Sequence, residues 1–203
     1  MKLSLDEFAR VLPFWYEKYK KSPYFEGYRN LLEHLPQKVA LCGYLDIEDL
    51  CAIADWGGNQ HGIKQRLLRH NSASDVQAKT GEAFRYLDKP KWAIGAVLDL
   101  QQWGLTYGSK TLMFMNPEEY GALDEWRMRP CLSKVLSRIR NGDRASMVRG
   151  YVAFLDICRE LQSVMEEPSP ESKSAWRISD IQSAIFQFAS DEGVMLPNER
   201  GSA

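Results

Sequence analysis

"KPKWAIGAVLDLQQWGLTYGSKTLMFM", Lys89 to Met115, decides the fold. Pro90 suits the first turn of a helix, where its missing N–H has no partner to lose. Trp92, Ala96, Val97 and Leu100 follow at helical spacing and predict an inner stripe. Gly104 breaks that run, and a second helix is expected to begin near Thr106. Two short helices joined at a glycine therefore form the centre of the chain. A single charge, Lys110, stands in the eighteen positions between Asp99 and Glu118.

Outward from this pair the same periodicity recurs. "SLDEFARVLPFWYEKYKK" places Phe8, Leu12, Trp15 and Tyr16 on one side, with Pro13 a candidate break. "YLDIEDLCAIADW" predicts a helix capped by Asp46, with Ile47, Leu50, Cys51 and Ala54 inward. "NQHGIKQRLLRHN" and "SASDVQAKTGEAFRYL" are two further short helices, the second opened by Ser72 or Ser74. "RPCLSKVLSRIRNG" and "MVRGYVAFLDICRELQSVM" follow. The proline- and serine-rich run at 166–175 reads as a loop, and 176–193 as a final helix that Ser179 caps or interrupts. No alternating strand pattern and no internal repeat is visible, so the fold class expected is all-α.

Bulk properties narrow the function. At 203 residues and 44% hydrophobic the chain can bury a sizeable core. No apolar run approaches a membrane span, and acids interrupt the start where a secretory leader needs an apolar stretch, so a cytoplasmic protein without membrane partner is expected, nucleoid-associated if bacterial. Cys42, Cys51, Cys131 and Cys158 lack zinc-ligand spacing, and neither a metal nor any other cofactor is expected. Twenty-six basic residues nearly balance 27 acidic ones, so charge speaks only where it is local. Seven basic residues, Arg127, Arg129, Lys134, Arg138, Arg140, Arg144 and Arg149, face one acid, Asp143, between positions 127 and 149. That sector reads either as a solvated face or as a phosphate-binding one. Lys64, Arg66 and Arg69, with His61 and His70, form a second cluster.

A short helix, a tight glycine turn and a second helix with free N-terminal amides suit a DNA backbone clamp that ignores sequence. The ordinary helical hairpin uses the same elements. Gly104, Gly108-Ser109, the apolar turn Leu112 to Met115, Asn116-Pro117 and Ala122-Leu123-Asp124 extend the pattern. In that order they resemble the helix-hairpin-helix DNA glycosylase superfamily, specifically its 8-oxoguanine DNA glycosylase-like branch. The likeness is local, covering 91–126 as the hairpin with its acid loop. It implies a single two-lobed helical domain over 1–203, with basic helices at 127–165 and Asp124 at the floor of a cleft between lobes.

The resemblance also implies base excision from double-stranded DNA that carries a damaged or modified base, by a protein expected to be a monomer. Breaking a C1′–N bond builds positive charge on the sugar, which a fixed carboxylate at Asp124 would stabilise while orienting water or an amine. Asp124 also reads as the N-cap of the segment after it. Aligning the glycines puts the superfamily's usual lysine at Thr106, so a water nucleophile near Asp124 is expected. Lys110, one turn further, is then a displaced nucleophile with weak strand cleavage, a snorkelling side chain or a phosphate contact. Thr106 and Ser109 are candidates to bond an extruded base, Trp126 to stack on it or to prop the acid, and Gly104 and Gly108 to admit the backbone. Arg127, Arg129, Lys134, Arg138 and Arg140 complete the expected DNA contacts. Two other functions fit the same residues: a DNA-binding protein of this fold without catalysis, and an α-helical interaction module unrelated to DNA.

Overall fold

Side chains that close a first turn set two helix starts directly. Asp46 accepts the Asp49 N–H at 3.0 Å while Asp49 accepts the Asp46 N–H at 2.8 Å, and Ser72 and Asp75 repeat the device. Each capping box satisfies two amides that a helix end otherwise leaves without partners. In the computed structural model, which describes residues 5–128, 132, 136–165 and 175–192, these boxes open α3 (Ile47–Trp56) and α5 (Ala73–Arg85).

The other helices are α1 (Leu5–Tyr19), α2 (Phe25–Cys42), α4 (Ile63–His70), α6 (Pro90–Leu98), α7 (Leu105–Met115), α8 (Glu125–Met128), α9 (Arg144–Ser163) and α10 (Ile178–Glu192). Among the described residues there is no strand, and no helix is long and apolar enough to cross a membrane. Pro13 lies inside an unbroken α1, and Ser179 lies inside α10 rather than interrupting it. Trp92 departs from the expected inner stripe. At the start of α6 it is 61% exposed and lies against Tyr86, with ring centroids 6.1 Å apart, while Ala96, Val97 and Leu100 are buried as expected.

Three arrangements position the central pair. Asn71, after α4, holds the turn between α6 and α7: its amide nitrogen donates to Gln101 O at 2.9 Å and its oxygen accepts the Gln101 N–H at 2.9 Å. Trp103 folds back and donates its indole N–H to Thr111 Oγ1 at 3.0 Å. Beyond α7, the loop after Asn116 presents carbonyls to the start of α10, where Ile178 N–H meets Glu118 O and Ser179 N–H meets Pro117 O. That contact supplies acceptors for the exposed amides of a helix end.

Helices α1 and α10 pack along their lengths through edge-on rings, Phe8 and Trp15 both against Phe188. A buried carboxylate fastens them to α2. Asp180, fully enclosed, accepts from Tyr16 OH at 2.9 Å, Tyr28 OH at 3.3 Å and the Arg177 guanidinium at 2.7 and 2.8 Å. Burial holds the Tyr28 hydroxyl well above its ordinary titration range, so it stays a donor to this carboxylate.

Candidate functional site

Helix α7 is buried from Tyr107 through Met115, and Lys110 shares that environment at 6% exposure. Its ammonium lies 4.7 Å from the Tyr107 ring centroid and 5.3 Å from that of Trp56. No hydrogen bond or ion pair ties it to another described residue. Burial lowers its pKa, and the negative charge of Asp124 opposes that shift in part. An amine in these surroundings loses its proton more readily than a surface lysine, which is the requirement for a nitrogen nucleophile.

Asp124 caps a helix, as expected, and also lines a cavity. One carboxylate oxygen accepts the Arg127 N–H at 3.0 Å, capping α8, and the residue as a whole lines the cavity that holds Lys110. Ser109 fixes the segment that carries the acid. Its hydroxyl donates to Thr106 O at 3.0 Å and accepts the buried Leu123 N–H at 2.9 Å. Ser109 thus faces the acid-bearing loop, with its hydroxyl engaged there rather than with a base.

The cavity measures about 60 Å³. That holds a few waters and is less than half of the roughly 150 Å³ that admits benzene, so a base would be received at the cavity's mouth or after its walls move. Its walls come from segments far apart in the chain: Tyr19 from α1, Tyr24 before α2, Trp56 and Gly57 at the end of α3, Gln60 after it, and Gln182 and Phe186 from α10. Gln182 is 6% exposed and its amide has no hydrogen-bond partner among the described residues. Its Cβ packs against Gly121, where an added Cβ would come within 2.8 Å of it. An amide offers a donor and an acceptor side by side, the pattern needed to read the edge of a base. The sequence signal for it was an amide within the apolar run Ile181 to Phe188.

A wider cleft of about 740 Å³ lies on the hairpin side, lined by Gln102, Gly104, Thr106, Arg66, His61 and Asn141, and it shares Asp124, Tyr107 and Gln60 with the surroundings of Lys110 or its cavity. Thr106 therefore opens on this cleft, while Lys110 lines the smaller cavity. The left-handed residue of the hairpin is Gln102, with φ 63°; Gly104 has φ −42° and caps α7. A Cβ at Gly104 would meet nothing within 4 Å, so the fold itself does not demand glycine there. Gly108 packs against α6, where an added Cβ would stand 3.5 Å from Ile94 and Val97. Opposite the hairpin, Gly58, Asn59, His61 and Gly62 all have positive φ. For Asn59 and His61 that conformation stores strain of the kind that clusters at functional loops. Arg66 reaches Gln102 Oε1 at 3.4 Å and leaves its buried Nε without a partner. Lys64 is instead paired with Asp55 at 2.6 Å.

Of the basic sector, Arg127, Arg138, Arg140, Arg144 and Arg149 are exposed. Arg144 is engaged internally, donating to Gly95 O at 2.7 Å and pairing with Asp99 at 3.0 Å, and so fastens α9 to α6. Gly150 seats the segment between Arg138 and Arg140: an added Cβ would lie 2.3 Å from Ile139 Cγ1. With Ile139 packed there, its two arginine neighbours face solvent. Arg129 and Lys134 lie outside the described residues, as does the side chain of Trp126. Compared with known protein families, with curated proteins and with solved structures, the chain shows no significant match.

Proposed function

We propose that this chain is a DNA N-glycosylase of two-lobed helix-hairpin-helix type. It draws a damaged or modified base out of the duplex to the mouth of the cavity beside Lys110, whose walls would move to receive it. The observation that carries the reading is a buried lysine with no hydrogen bond or ion pair among the described residues, sharing a cavity with a carboxylate, on the second helix of a hairpin. Burying an ammonium without a partner costs stability, so a chain that keeps one needs a use for the amine.

In this reading Lys110 is the nucleophile rather than a displaced spectator. Its neutral Nζ attacks C1′ as the glycosidic bond breaks and the bond's electrons leave with the base. The nitrogen then releases the proton that the departing base takes up, and a Schiff base to the opened sugar follows. Asp124, held by the α8 amide, stabilises the positive charge that builds on the sugar. Gln182 bonds the edge of the extruded base while Phe186 and Tyr19 offer ring faces to it. Gly104, with open space over its Cα, admits a phosphate to the amides of α7, and Arg138 and Arg140 supply charge.

Borohydride trapping on duplexes carrying oxidised, deaminated, alkylated or hypermodified bases tests this directly. A covalent protein–DNA adduct that disappears in Lys110→Gln is the expected outcome. Base release without an adduct would return the role to water. Salt-sensitive binding with no base release would identify a non-catalytic DNA-binding protein, and no binding at all would leave an interaction module.

A further inference from the structure

We propose that Tyr107 and Trp56 form an aromatic seat for the Lys110 ammonium, with Tyr107 the residue that positions the amine for attack. The inference rests on the glycosylase reading for its function, and on four observations for its geometry.

Both rings lie within cation–π distance of the same nitrogen, at 4.7 and 5.3 Å. The backbone between them is glycine, and a Cβ on Gly57 would stand 2.9 Å from both Lys110 Nζ and Tyr107 Cε1, displacing the amine or the ring. The Tyr107 hydroxyl fixes its ring to that stretch, donating to Gly57 O at 3.3 Å and accepting the Gln60 N–H at 3.3 Å. Trp56 is held in turn, its indole N–H donating to Tyr24 O at 3.0 Å and its ring set edge-on to Phe114 at 5.0 Å. A lysine carries four rotatable bonds, and a freely moving one would forfeit the pre-set geometry that makes an attack fast. Two negative ring faces and a glycine surface confine the nitrogen while it is protonated. Loss of the proton cancels the attraction to the rings and frees the amine to move toward C1′.

The charged and titratable groups that face this nitrogen are few. Asp124, from the loop before α8, acts on it directly, and Arg127 from α8 lines the same cavity. Tyr19 from α1 and Tyr24 before α2 complete the wall. Trp56 and Gly57 from α3, and Gln182 and Phe186 from α10, carry no charge. Burial pulls the amine's pKa down, while Asp124 supports its protonated form; the ring faces add to that support.

Selective ¹³Cε-lysine labelling of the whole protein reads the seat without DNA. The Lys110 ε-CH₂ signal, assigned by its loss in Lys110→Gln, is expected upfield of the other lysines through ring currents. Tyr107→Leu should move it back toward them and lower its titration midpoint by about half to one pH unit, the worth of one ring face. Tyr107→Phe keeps the ring face but loses the two bonds that fix it, and should move both values in the same direction by a smaller amount. Trp56→Leu is a second route to the same two changes should Tyr107→Leu not fold. Against DNA, Tyr107→Leu should slow single-turnover trapping about tenfold at unchanged duplex affinity, and Tyr107→Phe should slow it by a smaller factor. A Lys110 signal among the other lysines overturns the seat, and so does an equal response to Leu and Phe at position 107. An upfield Lys110 in a protein that traps no DNA leaves the seat standing and removes the glycosylase reading.

Discussion

Replacing Asp124 with asparagine removes a charge and keeps a cap. The amide oxygen of the introduced side chain can still accept the Arg127 N–H that Asp124 holds at 3.0 Å, and asparagine ranks with aspartate at an N-cap. Stability should therefore change by only a few tenths of a kcal/mol. The chemistry should not be spared. One preorganised charge beside a developing cation contributes roughly 10²- to 10³-fold in rate, or about 2.7–4 kcal/mol of barrier. Asp124→Ala loses the same charge and the cap as well, costing about 1 kcal/mol more, which for a chain of this size lowers the melting temperature by about 2–4 °C. Single-turnover base release alongside thermal melts separates the two contributions. A third signature has a fixed sign. Because Asp124 supports protonated Lys110, its removal lowers the lysine's pKa further, so the acid limb of the rate profile moves to lower pH in Asp124→Asn. Undiminished base release in Asp124→Asn, with stability lost only in Asp124→Ala, would falsify the catalytic role and leave a cap.

Lys110 also makes stability depend on pH. Its folded pKa lies below the ordinary lysine value, so between the two the unfolded chain binds the extra proton and stability rises with pH across that window. Denaturant melts should show this slope in the parent and lose it in Lys110→Met, which should also be the more stable protein at neutral pH. Gly104→Val should cost no more than about 1 kcal/mol, since its Cβ meets open space, yet weaken binding to every duplex regardless of lesion. Selective loss for one lesion would contradict that. Arg138→Glu with Arg140→Glu should reduce the salt slope of DNA affinity by about two contacts without moving the melting temperature, and an unchanged slope would make this face a solvated one.

Local chemistry was legible where one residue decides one backbone feature. Asp46 and Ser72 announce their helices by side-chain capping, and Pro90 opens α6 where the sequence puts it. Asp124 shows why two readings of one residue need not compete, since a cap uses one carboxylate oxygen. Helix α2 had no comparable signal: Pro36 stands within Phe25–Cys42, and a residue that breaks helices in isolation is carried here by packing of Tyr28, Leu35 and Val39. Trp92 fits the helical period yet faces solvent, because at the first turn of α6 it covers Tyr86 rather than the core. The cavity was the least legible part. Tyr19, Trp56, Gln182 and Phe186 come together only through tertiary packing, and no spacing in the chain records their meeting. Lys110 was visible as an isolated charge, but its separation from Thr106 depends on how α7 sits between two hollows.

The Ser109 hydroxyl, bonded to Thr106 O and to Leu123 N–H, ties the lysine-bearing helix to the length of chain that carries the acid. Lys110 and Asp124 therefore travel together as one short cassette, while the other walls of the cavity arrive from α1, α3 and α10. Substitutions on those three helices can widen, narrow or repolarise the hollow and leave Lys110 and Asp124 in register. On the proposed glycosylase reading, a lineage built this way would be free to change its choice of base without having to rediscover its chemistry.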